Sequence, residues 1–185
     1  MTVEDLLVVV LRTLDELRVP FMLSGSLASN FYGVPRATQD ADIVVELDRV
    51  PVGELSRRLG ERFEVDTQLS FETVTASRRL LIRSRDSAFQ VELFGLTDDS
   101  HDRERFARRR KVQLLDIVAA VPTAEDVIIN KLRWWKAANR RKDIDDARNV
   151  LAVQRTTIDR EYIVNWCARL ELIHEFNVLE RSVPQ

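Results

Sequence analysis

Phe21-Met22-Leu23-Ser24-Gly25-Ser26-Leu27-Ala28-Ser29-Asn30-Phe31-Tyr32-Gly33 and, beyond a short polar linker, Asp40-Ala41-Asp42-Ile43-Val44-Val45 alternate apolar runs with turn signals. Phe21 to Ser24 reads as a short strand, Gly25-Ser26 as the turn that leaves it, and Leu27 to Tyr32 as a helix closed by Gly33. Val34 to Gln39 reads as a loop. Ala41, Ile43, Val44 and Val45, with Leu47, read as a buried strand. The local order is strand, turn, helix, loop, strand.

Side chains alternate along a strand, so Asp40 and Asp42 project to one side while Ala41 and Ile43 face the other. Two like charges side by side at the end of a buried strand are destabilising unless a cation or hydrogen-bond donors compensate. A hard divalent ion fits that role, and Mg²⁺ takes one or two carboxylates together with phosphate oxygens. An Asp-x-Asp alone is more often an exposed turn, and a Gly-Ser alone an ordinary turn and cap. The pair gains weight because a helix N-terminus offers free N–H groups to an anion, glycine admits close approach to the backbone, and Ser26 adds a hydroxyl donor.

Outward from this stretch, Val3, Leu6, Leu7, Val10, Leu11, Leu14 and Leu17 form the stripe of an amphipathic helix that stops before Pro20. Pro51 opens a helix running to about Gly60 with Leu55 and Leu59 inward. Ser70 to Ala76, Leu80 to Arg83 and Ala88 to Phe94 read as strands. From about Pro122 the pattern turns helical: Thr123 caps a helix through Ala138, and Asp143 to Val153 and Asp159 to about Ile173 give two more. The expected class is α+β, a mixed β-sheet core flanked by helices over residues 1–121, with a C-terminal helical part over 122–185 packed on it.

At 185 residues and 45% hydrophobic content the chain is long enough to bury a sizeable core. Its acidic start and the lack of a long apolar run argue against export or a membrane span. Cys167 is the single cysteine, which excludes an intramolecular disulfide and fits a reducing, cytoplasmic setting. Net charge is −2, but it is unevenly spread. No acid lies between Asp126 and Asp143, whereas Lys131, Arg133, Lys136, Arg140, Arg141 and Lys142 are basic; Arg103 to Lys111 is a second basic cluster.

Lys131 stands one turn from Val127 and one turn before Trp134 and Trp135, near the apolar stripe, so its ammonium needs an anion. A triphosphate would serve, and so would Asp143 or Asp146 from the following helix. Asp146 is drawn inward by its spacing from Val150, and Asp145 faces water. Trp134 and Trp135 suit either core packing or stacking on a base. His101 and His174 lack ligand-like spacing.

Gly25-Ser26 with Asp40-Ala41-Asp42 resembles the Gly-Ser…Asp-x-Asp signature of the polymerase-β nucleotidyltransferase superfamily, at the long end of its spacing. The superfamily carries a third carboxylate on a neighbouring strand, which Glu92 in Phe89-Gln90-Val91-Glu92-Leu93-Phe94 matches by position; read alone, Glu92 could equally face solvent. Glu125 to Leu132, with its embedded Lys131, and Arg141-Lys142-Asp143-Ile144-Asp145-Asp146 are similar to segments of the AbiEii-like group, which includes toxins of toxin–antitoxin and abortive-infection systems. The resemblance implies a nucleotidyltransferase moving an NMP from an NTP to a hydroxyl acceptor. Asp40, Asp42 and Glu92 would hold one or two Mg²⁺ ions; Gly25, Ser26, Arg36 and Lys131 would hold the nucleotide phosphates; Asp146 would position Lys131 or join the site. It further implies an RNA or tRNA acceptor and a cognate antitoxin. Two rivals remain: a small-molecule, antibiotic-type nucleotidyltransferase, and a non-catalytic nucleotide-binding or interaction module of the same fold.

Overall fold

A computed structural model describes residues 2–71, 77–114 and 116–183, side chains at 3 and 67–71 excepted. The elements in order are α1 (Val3–Glu16), β1 (Phe21–Leu23), α2 (Gly25–Tyr32), β2 (Asp40–Val45), a 3₁₀ turn (Leu47–Arg49), α3 (Val52–Leu59), β3 (Phe63–Phe71), β4 (Arg78–Ser84), β5 (Gln90–Gly95), α4 (Ser100–Ala107), β6 (Arg110–Leu114), β7 (Ile117–Val121), α5 (Ala124–Ala138), α6 (Arg141–Gln154), α7 (Arg160–Arg169) and α8 (Ile173–Ser182). The fold is α+β, with a mixed five-stranded sheet of order β1-β2-β5-β4-β3 and a separate β6-β7 hairpin. Within the large sheet β2 and β5 run parallel, and the other neighbours are antiparallel.

The chain divides into two compact units, residues 1–24 with 38–121, and residues 25–37 with 122–185. The segment 25–37, which carries α2, therefore belongs with the C-terminal helices. The first unit is built on the sheet. Ala41, Ile43, Val45, Val91, Leu93, Leu80 and Ile82 line one face and are at most 1% exposed. The buried stripes of α1, from Leu6 to Leu14, and of α3, Leu55 and Leu59, belong to the same unit. Thr2 caps α1 through a capping box with Asp5, which satisfies two otherwise unpaired amides. Gly60 ends α3 at φ +72°, a conformation L side chains avoid.

The second unit is all helical. Its core gathers Ala28 of α2, Val127, Ile128, Ile129 and Leu132 of α5, Ile144, Ala147, Val150 and Leu151 of α6, Ile163, Trp166 and Cys167 of α7, and Phe176 and Leu179 of α8. Thr123 caps α5 by accepting the amide of Asp126, and Asn139 closes it in the left-handed conformation at φ +49°.

Several boundaries differ from the sequence expectation. The helix begun after Gly25-Ser26 includes both residues in its first turn. Leu47 lies in the 3₁₀ turn, past the end of β2. The first of the three expected strands starts earlier, at Phe63; residues 72–76 of the expected run lie outside the described residues. The helix expected from Asp159 to Ile173 is two, because Glu171 turns left-handed at φ +58° between α7 and α8.

Candidate active site

The candidate site residues fall into two groups of polar side chains, one in each unit. In the first, the parallel register of β2 and β5 sets Asp42 opposite Glu92 and Asp40 opposite Gln90. Residues i and i+2 share a face, as do directly paired residues, so Asp40, Asp42 and Glu92 project from the same side of the sheet. The antiparallel register of β4 adds Leu81 opposite Glu92, and hence Arg79, to that side. Further along the same side, Val44, Met22 and Phe94 pack under Phe106 of α4. One stretch of the face is therefore apolar and covered by α4, and the stretch beside it carries carboxylates.

The Asp40 and Glu92 carboxylates have local partners. The Thr38 hydroxyl donates to Asp40 Oδ1 at 2.6 Å. Arg79 Nη1 donates to Glu92 Oε2 at 3.0 Å, and the Glu92 side chain is 14% exposed. The carbonyl of Asp42 accepts the amide of Ser24 at 2.8 Å, tying the end of β1 to the carboxylate strand. Among the described residues, the trio of His, Cys, Asp or Glu whose ligand atoms lie within 4.8 Å of one another is Asp99, His101 and Asp102, not Asp40, Asp42 and Glu92. The latter three lie on one face, but the oxygens of Asp40 and Glu92 are turned toward Thr38 and Arg79. Their chemistry, three hard carboxylate donors on adjacent strands, fits Mg²⁺ after rotation of the side chains.

The Asp99, His101 and Asp102 group is occupied by structure at the start of α4. Asp99 caps the helix by accepting the Asp102 amide, and the Asp102 carboxylate takes the Thr97 hydroxyl on one oxygen and Arg105 Nε, at 2.9 Å, on the other. It can offer one ligand atom per residue, but a cation there would have to break the buried Arg105 pair.

In the second unit the chain begins α2 at Gly25, whose φ of +54° suits glycine, and places buried Ser26 in the first turn. Lys131 reaches Asp146 Oδ2 at 2.8 Å and Asp143 Oδ1 at 3.1 Å, with all three side chains at most 6% exposed. Asp143 Oδ2 also accepts Arg140 Nε at 2.7 Å. Arg36 grips Asp146 from the other side, Nε to Oδ1 at 2.9 Å and Nη2 to Oδ2 at 3.0 Å, and Nη2 also donates to Ser26 Oγ at 2.7 Å. Ser29 Oγ donates to Asp146 Oδ2 at 3.3 Å. The cluster holds two carboxylates and three cations, a surplus of one positive charge. Burial alone would raise the Asp146 pKa, but the hydrogen bond from Arg36 and the charge of Lys131 outweigh it and hold the carboxyl below its ordinary value.

Sequence reasoning named Gly25, Ser26, Arg36, Lys131 and Asp146, and the structure brings the side chains of the last four into one network. The anion beside Lys131 is Asp143 together with Asp146. Sequence reasoning gave no site role to Arg79, Thr38 or Ser29, and counted Arg140 only as part of the basic run. Arg79 was within reach of pattern reading, since it falls on the same alternation as Leu81 and Arg83; the pairing of Arg36 with Asp146, 110 positions apart, leaves no local trace. Of the two tryptophans, Trp135 packs against the helical core, and Trp134 lies under the Arg140 guanidinium at 4.4 Å.

Solved structures share this architecture. The solution structure of the antibiotic-resistance factor ANT(2'')-Ia gives a TM-score of 0.62 at 15% identity, over 96% of this chain and 95% of that one. The crystal structure of ANT(2'')-Ia in complex with adenylyl-2''-tobramycin gives 0.62 at 14%, over 91% and 96%. An antigenic nucleotidyltransferase-like protein from Paracoccidioides brasiliensis gives 0.56 at 15%, over 97% and 93%. No family model matches the chain, and neither does any curated protein sequence. At these identities the likeness is one of fold: the chain has a nucleotidyltransferase-type architecture.

Proposed function

We propose that the protein is a Mg²⁺-dependent nucleotidyltransferase that moves an NMP from an NTP to a hydroxyl of RNA, with a tRNA end as the favoured acceptor. The observation that carries the reading is the parallel register that puts Asp42 opposite Glu92 with Asp40 on the same face. Asp40, Asp42 and Glu92 would hold the metal, which would supply neutralisation of phosphate charge and a lowered pKa for the acceptor hydroxyl. In the reaction a bond forms between the acceptor oxygen and the α-phosphorus, the bond to the bridging oxygen breaks, and pyrophosphate leaves with the electron pair. As an alternative to its place on the metal, Glu92 is the candidate to take the acceptor proton. Gly25, Ser26 and Lys131 would take the anionic oxygens of the triphosphate, with Arg36 beside them, and the surplus positive charge of the network favours those oxygens.

Charge supports the RNA acceptor. A cationic aminoglycoside, the acceptor class suggested by the tobramycin adduct of ANT(2'')-Ia, requires an acidic pocket. Here exposed Lys136, Arg141 and Lys142 surround the α5–α6 turn, a surface that suits a phosphate backbone. The AbiEii-like motifs extend the proposal to a cytoplasmic toxin working with a cognate antitoxin.

Incubating the protein with each labelled NTP, Mg²⁺ and total RNA is expected to label RNA, with one NTP preferred. Asp42→Asn is expected to lower transfer by about a hundredfold or more while NTP binding persists, because the carboxylate acts on the metal and not on the base or sugar. Label found only on an added aminoglycoside would replace the RNA reading. Binding without transfer to any acceptor, unchanged in Asp42→Asn, would leave a non-catalytic module.

A further inference from the structure

We infer that Arg36 is a positioning residue that fixes the Ser26 hydroxyl as an outward hydrogen-bond donor for a triphosphate oxygen, and that it is itself fixed by Asp146. The inference rests on the nucleotide-binding reading above and deepens it.

A serine hydroxyl has one proton and two lone pairs, and rotation about its C–O bond ordinarily lets it donate or accept as its neighbours require. Ser26 Oγ accepts from Arg36 Nη2 at 2.7 Å, the short end of the range for an N–H···O bond. A guanidinium cannot accept, so this contact commits one Ser26 lone pair and turns the hydroxyl proton away from Arg36. Among the described residues Ser26 Oγ has no acceptor for that proton, although Ser26 is 7% exposed and sits in the first turn of α2. A buried hydroxyl whose acceptor side is filled and whose donor side is open is complementary to an acceptor-only group, and the non-bridging oxygens of a phosphate are such groups.

The orientation of Arg36 follows from Asp146. The two parallel bonds, at 2.9 and 3.0 Å, are the fork geometry that only a planar guanidinium makes with a carboxylate. They leave the Nη2 edge aimed at Ser26. Asp146 is held in turn by Lys131 at 2.8 Å and by Ser29 at 3.3 Å. The single Ser29 proton has the carbonyls of Gly25 and Ser26, at 3.2 and 3.1 Å, within reach as alternatives to Asp146, so Ser29 stands between that carboxylate and the backbone that carries the donor. The loop is set as well: Asn30 Nδ2 donates to the carbonyl of Arg36, and the Arg36 amide donates to Asn30 Oδ1. A chain of bonds thus runs from Asp146 through Arg36 to one proton. Charge alone would not need it, since a lysine at position 36 would serve as a point charge.

A double-mutant cycle tests this, with ATP and inorganic tripolyphosphate as probes measured by calorimetry on the full chain. Ser26→Ala is expected to weaken both probes about tenfold to a hundredfold, the loss of one hydrogen bond to a charged partner. Arg36→Lys is expected to weaken them by a similar factor although the charge is kept, because lysine cannot hold Asp146 by two bonds and Ser26 at once. Arg36→Lys with Ser26→Ala is expected to lose little more than either alone. Ser26→Thr, which keeps the hydroxyl, is expected to retain most of the affinity. Full affinity in Arg36→Lys, or multiplicative losses in the double variant, would overturn the inference while the nucleotide reading stands. A wild-type protein that binds neither probe would overturn the nucleotide reading and the inference together. Thermal unfolding of each variant distinguishes a lost donor from a lost fold, and Arg36→Lys leaves the Lys131 pair with Asp146 in place.

Discussion

Asp146 shows how one carboxylate can serve both stability and site geometry. Its side chain is 5% exposed and its neighbours are cations, so an isolated charge there would be strongly unfavourable, yet the fork from Arg36 and the ammonium of Lys131 reverse the balance. With its folded pKa held below the ordinary 3.8, the native state binds its proton less readily than the unfolded chain does. The resulting stabilisation is fully present above the unfolded value and is lost as the pH falls through the folded one. Asp146→Asn leaves Lys131 with Asp143, removes the charge that faces Arg36 and replaces one of its two acceptor oxygens with an amide donor. We expect it to destabilise the fold at pH 7 by about 3–5 kcal/mol, the scale for removing one partner of a buried ion pair. The difference from wild type should shrink as the pH falls below 4, because wild type then loses its own pair. Chemical unfolding at a series of pH values measures both; a difference independent of pH would mean that the carboxylate's charge is not what stabilises it.

At the scale of elements, the sequence reading succeeded where a local pattern and a local physical need coincided. The strand, turn, helix, loop, strand order at residues 21–45 was readable because alternation, a glycine and a closing Gly33 all lie within a few residues of the groups they serve. The facing of Asp40 and Asp42 followed from strand periodicity alone. The join of Arg36 to Asp146 and of Glu92 to Arg79 did not, since each depends on which strands and helices become neighbours. The β6-β7 hairpin and α4 were not expected because the Arg103 to Lys111 charges hide the short apolar periods around them; the Val112 and Leu114 alternation was the available signal. Gly33 carries a second role invisible in sequence. A Cβ there would meet Val150 N at 3.0 Å, Ser29 O at 3.1 Å and Asn149 C at 3.2 Å, all backbone atoms that cannot swing aside. Gly33→Ala should therefore force the end of α2 off α6 and destabilise the second unit by about 1–3 kcal/mol, read as a lower denaturant midpoint. An unchanged midpoint would show that the two helices separate without strain.

Over the whole molecule, the chain crosses between its units at residues 24–25, 37–38 and 121–122, yet each unit keeps a hydrophobic core of its own. That around Cys167 is assembled wholly from residues of the second unit, from Ala28 through Leu179. Burial pushes the Cys167 thiol up to about 12, with the charge of Glu175 adding to it, so almost no thiolate exists in the folded protein near neutral pH. Because this is the chain's single cysteine, its alkylation reports opening of the second unit and nothing else. Iodoacetamide at pH 8 is expected to label native protein slowly and denatured protein at once. Ile128 is fully buried in the same core, and Ile128→Ala should cost at least about 2 kcal/mol, which raises the open population and the labelling rate about thirtyfold or more. Ile43 is fully buried in the first unit's core, and Ile43→Ala should leave the rate within about threefold of wild type. Equal acceleration by the two variants would instead show that the two cores open together, as one cooperative structure.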